Sequence, residues 1–359
     1  MKKSGRFLQI SQKRNGRAAF LIAFASVACL LAVLGLYGME TATVEADNHF
    51  SVSDEKKLVL YTSHKKEVYG PLVQEFEERT GVWVEIKTGG TIELMEQLAV
   101  EAGESSCDVM FGGGVESYEA FKEYFEPYLC SGREHLSPGF YSTEGKWIGF
   151  SRLPIVFIYH NKLVEEAEAP KTWEALFDET WKGRLAFADP LSSGTSCTAL
   201  LTMCQVKKLA PKELVKDFYD VLDGEILPDS QRVIDEVTQG TKLVGITLEE
   251  SALKARKRGA DIGIIYPGDG VSAVPDGAAI VKNAPHSENA RLFLDFVVSR
   301  EVQEFLGDSL CRRSVRTDIG SKEGFPEMDT MDFDLEWAGA HQKELLGWWK
   351  DLTGQGGPL

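Results

Sequence analysis

The sequence has few cysteines and few histidines for its length, and neither type is spaced as a metal site or a disulfide framework requires. Its 359 residues include six of each. Five cysteines follow residue 40, so at least one is predicted to be unpaired, and their redox state stays open. Cys197 and Cys204 lie in one predicted helix, about 10 Å apart along its axis, which is too far for a bridge. No CxxC pair or Cys/His cluster has zinc spacing, so we expect no structural zinc.

Basic residues are also scarce. Lysine and arginine number 39 against 55 acidic residues, which gives a formal net charge of −16. Phosphate backbones require a basic face, so nucleic acid is not expected as a partner. The chain also lacks a GxSxG elbow, an HExxH helix and a dinucleotide-binding fingerprint. We therefore expect no enzyme activity and no cofactor.

One long hydrophobic run stands near the start. Residues 18–39 carry no charge and follow six basic residues, so everything after residue 40 should be exported. Three fates stay open for residues 1–46: cleavage of a signal peptide near Ala46, retention of 18–39 as a membrane anchor, or lipid attachment at Cys29. Residues 47–57 are polar and are predicted to form a tether.

Strand and helix patterns alternate from residue 58 onward. Short apolar runs at 58–61, 82–86 and 108–111 predict buried strands, and helical periodicity separates them. A β-α-β-α-β order predicts a mostly parallel sheet, in which ligands bind beyond the carboxyl ends of the strands. The turns at 62–65, 88–91 and 112–117 lie at those ends.

A second α/β stretch contains the most informative segment. A strand predicted at 184–188 runs into Asp189, and a helix is predicted from Cys197 to Lys208. Five small residues stand between them: Ser192, Ser193, Gly194, Thr195 and Ser196. Hydroxyls beside the free N–H groups of a helix start predict a site for phosphate, phosphonate or carboxylate. Helix capping by Ser193 or Ser196 is the alternative.

Other residues at strand ends are candidates for the same cleft. Ser63 and His64 follow the first strand, although a solvated histidine is the alternative for His64. Thr91 follows the second strand and has a plain N-cap as its alternative. Glu249 is a candidate for binding hydroxyl groups, whereas Glu250 is predicted to close a capping box with Thr247. The glycines at 112–114 permit a close backbone approach to a ligand or form a tight turn.

Longer segments resemble a known family. The motifs WKGRLAFADP at 181–190 and PDGAAIVKNAPHSENA at 275–290 resemble extracellular solute-binding proteins of ABC importers, in the group that binds ferric iron, thiamine, phosphonates or hexose phosphates. The resemblance runs from about residue 57 to 306. It implies an α/β fold of the type II periplasmic-binding class, with two lobes, each a mostly parallel sheet with flanking helices, and a ligand cleft between the lobes.

The resemblance also implies domain boundaries. Lobe 1 would comprise 58–153 and 268–310, and lobe 2 would comprise 154–267 and 311–359. Two crossings would join them, near 152–156 and 266–273. Closure would be a hinge motion that a ligand favours by bridging both lobes.

The resemblance also favours one class of ligand over the others. Ferric binders of this group use two adjacent tyrosines, and the chain contains no Tyr-Tyr pair. The motif DPLSSGTS and the Glu249-Glu250 turn are more similar to the hexose-phosphate binders. By that likeness, Ser63, His64, Thr91, the 192–196 segment and Glu249 would contact the solute, with no metal site and no catalytic residue.

The function expected from this reading is a non-enzymatic receptor. It would work outside the cell, in the periplasm or at the cell surface, as a monomer that captures a small anionic solute such as a sugar phosphate and delivers it to a membrane permease. Binding of ferric iron or thiamine by the same fold is the alternative, and an exported enzyme or a sensor that presents its ligand to another membrane protein is a third reading.

Overall fold

The structure is a computed structural model that describes residues 53–104, 106–320 and 325–355. The predictions for residues 1–46, including the three fates of 18–39, Cys29 and Ala46, lie outside the described residues, as does the tether up to residue 52. Within the described ranges, no helix is both long enough and apolar enough to cross a membrane.

Nine β-strands and ten α-helices form within the described ranges. The strands are β1 (Lys57–Thr62), β2 (Trp83–Thr88), β3 (Val109–Gly114), β4 (Ile148–Arg152), β5 (Ile155–His160), β6 (Leu185–Ala186), β7 (Val244–Leu248), β8 (Ile262–Ile265) and β9 (Pro275–Ile280). The helices are α1 (Lys66–Thr80), α2 (Thr91–Val100), α3 (Val115–Ala120), α4 (Gly194–Lys207), α5 (Pro211–Leu222), α6 (Ser230–Gln239), α7 (Glu249–Lys257), α8 (Ser287–Val297), α9 (Arg300–Leu310) and α10 (Leu335–Thr353).

The strands form two sheets. The first has the order β2-β1-β3-β9-β4 and the second the order β6-β7-β5-β8. β1 pairs in parallel with β2 and β3, as the β-α-β pattern predicts, but β9 is antiparallel to β3 and β4. In the second sheet only β6 and β7 are parallel. The sheets are therefore mixed, and the prediction of mostly parallel sheets was wrong in this detail, because β9 enters the first sheet from the other lobe and runs against its strands.

The chain passes twice between the sheets. It leaves the first sheet after Arg152 and enters the second at Ile155, then leaves after Ile265 and returns at Pro275. The first passage lies within the predicted 152–156 segment, and the second ends one residue beyond the predicted 266–273 segment. The two sheets carry separate hydrophobic cores.

Each core is built around aromatic side chains. Phe76, Phe111 and Phe293 meet edge to face in the first core. Phe187 and Phe218 meet in the same way in the second core, to which α10 adds the buried Trp349. Such arrangements exploit the ring quadrupoles in addition to burying area. Helix α10, which forms the C-terminal tail, packs on α3 of lobe 1 and on α4 and α5 of lobe 2.

Local patterns predicted several elements accurately. Helix α1 ends at Thr80, and Gly81 supplies the left-handed cap with φ of 68°. Other predictions erred in extent: α4 begins at Gly194 rather than Cys197, and the strand predicted at 184–188 is β6, which covers only two residues.

Candidate ligand-binding site

A cavity of about 390 Å³ lies between the two lobes. Residues that follow β1, β2 and β3 form its wall in lobe 1, where the carboxyl ends of parallel strands meet. The starts of α4, α6 and α7 form its wall in lobe 2. The cavity therefore occupies the place at which this fold class binds solutes.

The lobe 1 wall contains Ser63, His64 and Thr91. Thr91 is not an N-cap, because Gly90 occupies that position and the Thr91 side chain faces the cavity. Gly113, with φ of 86°, makes room for it, since a Cβ on Gly113 would lie 2.3 Å from Thr91 Cγ2. The glycines at 112–114 thus end strand β3, and at Gly113 the backbone closely approaches Thr91.

His64 is 8% exposed and packs edge-on against Phe111. The solvated alternative is therefore wrong. Burial, and next the positive charge of Arg312, hold the pKa of His64 well below its usual range, so the imidazole is neutral at pH 7. A neutral imidazole at this position offers the solute a hydrogen bond rather than a charge.

The lobe 2 wall is dominated by the start of α4. Ser193 is its N-cap, and its Oγ accepts a hydrogen bond from the Ser196 N–H at 3.2 Å. The Ser193 and Ser230 hydroxyls share a hydrogen bond at 2.7 Å. One of the two hydroxyl protons forms this hydrogen bond, so the other hydroxyl keeps a proton that it can donate to a different acceptor. Capping and ligand binding are both compatible with this geometry.

Helix α6 starts beside α4. Its N-cap, Asp229, accepts hydrogen bonds from the N–H groups of Gln231 and Arg232. Lys65 of lobe 1 donates a hydrogen bond to Gln231 Oε1 at 3.3 Å, so the two lobes touch across the cavity mouth. Three helix starts of lobe 2 therefore direct their positive ends at one volume, which favours an anionic ligand.

Charged side chains that line the cavity are nearly balanced. The cations are Lys65, Lys254, Arg258 and Arg312, and the carboxylates are Glu67, Asp229 and Glu250. The surplus of one positive charge contrasts with the net charge of −16 for the whole chain. The lining of the cavity is thus less acidic than the protein as a whole.

A buried ion network forms the floor. Arg312 Nη1 donates a hydrogen bond to Asp276 Oδ2 at 2.5 Å, and Arg312 Nε lies 2.6 Å from Glu250 Oε2. Glu250 also pairs with Lys254 at 2.5 Å, and His64 Nε2 lies 3.3 Å from Asp276 Oδ2. Asp276 belongs to β9 in the first sheet and Glu250 to α7 beside the second, so Arg312 ties the lobes together.

This network overturns the capping-box prediction. Leu248, not Thr247, is the N-cap of α7, and the Thr247 hydroxyl has no hydrogen-bond partner in the described structure. The Glu250 carboxylate pairs with Arg312 and Lys254 instead of returning to the helix start. A cation 62 positions later in the chain provided a stronger partner than a local N–H group.

Glu116 provides a second link between the lobes. Thr198 Oγ1 of α4 donates a hydrogen bond to Glu116 Oε1 of α3 at 2.5 Å, and the other carboxyl oxygen is buried without a partner in the described structure. Burial raises the pKa of Glu116 to about 7, although the Thr198 hydrogen bond lowers it in part.

We expect Glu116→Gln to stabilise the protein at alkaline pH. The folded chain holds the Glu116 proton more tightly than the unfolded chain. The stabilisation that Glu116 gives the folded chain therefore falls as the pH rises from about 4.5 to about 7. Above that window the charged carboxylate costs up to about 3 kcal/mol, which glutamine avoids. Urea unfolding from pH 4.5 to 8 should show a flatter profile for the variant. Glu123→Gln, at an exposed position, is the control, and equal profiles for the two variants would contradict the prediction.

The structure brings seven of the nine predicted site residues to the cavity. Those are Ser63, His64, Thr91, Ser192, Ser193, Gly194 and Thr195. Ser196 is buried behind the first turn of α4 and does not line the cavity. Glu249 points away from it, accepts a hydrogen bond from the Tyr266 hydroxyl at 2.5 Å and pairs with Arg313.

Sequence reasoning missed Ser230, Gln231 and Arg312. The Asp229-Ser230 pair before a helix carries the same start signal as Ser193, so α6 could have been found. Arg312 carries no local signal, because its role depends on Glu250 and Asp276, which come from two distant segments.

Metal ligands are not assembled in the described part of the chain. No group of three or more histidine, cysteine, aspartate or glutamate side chains there could hold an ion. Cys197 and Cys204 are free and buried, as are Cys130 and Cys311.

Several curated proteins are similar to this chain. An uncharacterized protein of Haemophilus influenzae is 28% identical over 320 residues, which is 83% of this chain and 91% of the relative. Iron uptake protein A1 of Synechocystis is 26% identical, over 71% of this chain and 75% of the relative. A 2-aminoethylphosphonate-binding periplasmic protein of Salmonella typhimurium, so named provisionally, is 22% identical over 68% and 73%.

Solved structures share the fold. The periplasmic binding protein AfuA of Actinobacillus pleuropneumoniae, with fructose-6-phosphate bound, has a TM-score of 0.75 at 22% identity and covers 84% of this chain and 99% of its own. A ferric binding protein of Campylobacter jejuni has a TM-score of 0.74 at 19% identity, over 83% and 99%. The two-lobe fold expected from the sequence is confirmed.

A match to a family model shows the family to which this chain belongs. The family model described as bacterial extracellular solute-binding protein matches residues 106–331, which is more than half of the chain. This family consists of exported binding proteins that deliver solutes to ABC permeases and not of enzymes. The chain therefore belongs to the bacterial extracellular solute-binding proteins, as a two-lobe periplasmic receptor of an ABC importer.

Proposed function

We propose that the solute carries a phosphate or phosphonate group and that a sugar phosphate is the preferred class. One observation carries the proposal: the N-terminus of α4, with Ser193, Gly194 and Thr195, faces Thr91 of the opposite lobe across the cavity. A Cβ on Gly194 would lie only 3.2 Å from Thr91 Oγ1, so the lobes meet closely at this point. An anionic group bound here would touch both lobes.

The chemistry of this point suits a phosphoryl group. The first N–H groups of a helix have no carbonyl partner within it, and they carry the positive end of the dipole. Thr91, Ser193, Thr195 and Ser230 place hydroxyls around the same volume. Charge-assisted hydrogen bonds from N–H and O–H donors are about twice as strong as neutral ones.

The rest of the cavity suits a small organic body. Its volume of about 390 Å³ exceeds what an inorganic anion fills and lies within the range of small-molecule sites. Ser63, neutral His64 and Ser251 offer hydrogen bonds to hydroxyls of a sugar, and Leu153 and Leu248 offer apolar surface.

Binding would shift the lobes toward closure. The contacts from Lys65 to Gln231 and from Thr198 to Glu116 already join the lobes, and a bridging phosphate adds to them. A ligand shifts such an equilibrium only through its greater affinity for one state. The closed monomer would then present the solute to the permease.

Ferric iron is the competing cargo, since one relative is named an iron uptake protein. The described cavity lining contains no tyrosine, and Tyr266 is engaged with Glu249 outside it. These facts favour the phosphorylated solute over iron, and nothing in the lining matches a cationic thiamine better than an anion.

A thermal-shift screen of the full chain tests the proposal. Compounds would be fructose 6-phosphate, 2-aminoethylphosphonate, inorganic phosphate, thiamine and ferric citrate. A ligand at 100 times its Kd adds about 2.7 kcal/mol to the stability. We expect the largest rise in Tm from a phosphorylated or phosphonate compound, whereas a rise with ferric citrate or thiamine alone would overturn the proposal.

A further inference from the structure

A second, smaller cavity lies beside the first crossing. It has a volume of about 110 Å³, and four arginines line it: Arg152, Arg312, Arg313 and Arg316. Ser137 contributes a hydroxyl to the same wall. We call this volume the hinge cavity, because Arg152 is the last residue of β4 before the chain enters the second sheet.

Three of the arginines have carboxylate partners. Arg312 pairs with Asp276 and Glu250. Arg313 makes two hydrogen bonds to Glu249, at 2.7 and 2.8 Å. Arg316 makes two to Asp318, each at 2.8 Å. The charges of these three side chains are therefore compensated.

Arg152 is different. Among residues 53–104, 106–320 and 325–355, no carboxylate lies within ion-pair distance of its guanidinium, and its Nε is buried without a hydrogen-bond partner. Its backbone N–H donates to Arg313 O at 2.9 Å, and its guanidinium lies 5.3 Å from the centre of the Phe140 ring. These contacts hold the cation at the cavity wall.

Within the described residues, the surroundings of Arg152 contain little negative charge. Burial, followed by the positive charge of Arg313, lowers the pKa of Arg152, and the negative charge of Glu249 opposes this only in part. Arginine stays protonated in proteins, and burying a cation without a partner is costly. An anion in the hinge cavity would remove this cost.

We propose that the hinge cavity binds a free oxyanion of the size of phosphate or sulfate, held by Arg152 with help from Ser137. The planar guanidinium offers paired N–H donors that match such an anion. The cavity has less than a third of the volume of the cleft between the lobes, so a sugar phosphate does not fit. Arg312 lies in the walls of both cavities, but Arg152 and Ser137 do not line the cleft, so this proposal does not depend on the proposed function.

Equilibrium dialysis of the full chain with radiolabelled inorganic phosphate, at fixed ionic strength, tests the proposal. Inorganic phosphate could also enter the cleft, so the reference is the Ser193→Ala/Thr195→Ala variant. We expect a saturable phosphate site to persist in that variant and sulfate to compete for it. Adding Arg152→Gln should weaken this site at least tenfold, while Arg152→Lys, which keeps the charge but loses the paired donors, should weaken it less than Arg152→Gln does.

A second comparison separates loss of the phosphate site from misfolding of the variant. Ser137→Ala removes only a hydroxyl and should weaken the same phosphate site several-fold. Arg152→Gln in an otherwise native chain should leave the ligand-induced Tm rise of the cleft unchanged. Phosphate binding in the double variant that is absent, or that is unaffected by both Arg152→Gln and Ser137→Ala, would overturn the proposal.

Discussion

Replacing Ser193 and Thr195 together by alanine is expected to weaken solute binding by at least tenfold. Hydrogen bonds to charged groups contribute about 1.5–3 kcal/mol each, and each 1.4 kcal/mol is a tenfold change in Kd. The Ser193 hydroxyl shares a hydrogen bond with Ser230 at the cavity wall, and Thr195 lines the same point. Isothermal titration with the compound that gives the largest Tm rise measures the loss.

Loss of the helix cap alone must be separated from loss of the ligand contact. Ser193 also caps α4, and losing a serine cap costs about 1 kcal/mol of stability. Ser299→Ala is a matched control, because Ser299 caps α9 in lobe 1 in the same way and does not line the cleft. Unchanged affinity in the double variant would remove the claim that the start of α4 binds the anion.

Replacing Arg312 by methionine is expected to destabilise the protein by about 3–5 kcal/mol, the cost of breaking a buried ion pair from one side. The substitution leaves Asp276, which is fully buried, and Glu250 without their shared cation. Burial already raises the pKa of Asp276. Urea unfolding at pH 7 gives the change in the free energy of unfolding.

Arg316→Met is the matched control for this prediction. Arg316 is also buried, but its partner Asp318 is partly exposed, so water screens the carboxylate left behind. We expect a clearly smaller loss for this variant. A loss below about 1 kcal/mol for Arg312→Met would show that the network does not hold the two lobes.

The local sequence predicted the elements that build the lobe 1 wall. The apolar runs before Ser63 and Thr91 form parallel strands, and their carboxyl ends bring these residues together as the β-α-β order requires. The serine-rich segment before α4 was predicted as an anion site for the same local reason. Helix starts and strand ends are encoded over a few residues, which is why a single sequence reveals them.

Contacts between distant segments could not be predicted. Arg312 gains its role from Asp276 and Glu250, and Glu250 loses its expected cap to that pairing. The tail could not be placed from its pattern, because α10 packs on α3 of one lobe and inserts Trp349 into the core of the other. Such partners are chosen by the folded topology rather than by local spacing.

Isothermal titration of the full chain with fructose 6-phosphate and with fructose tests the central claim most directly. The pair differs only in the phosphoryl group that the start of α4 is proposed to hold. We expect saturable one-to-one binding of the phosphorylated sugar and no measurable heat with fructose. Equal binding of the two sugars, or no binding of any phosphorylated or phosphonate compound by a chain that binds ferric citrate, would contradict it.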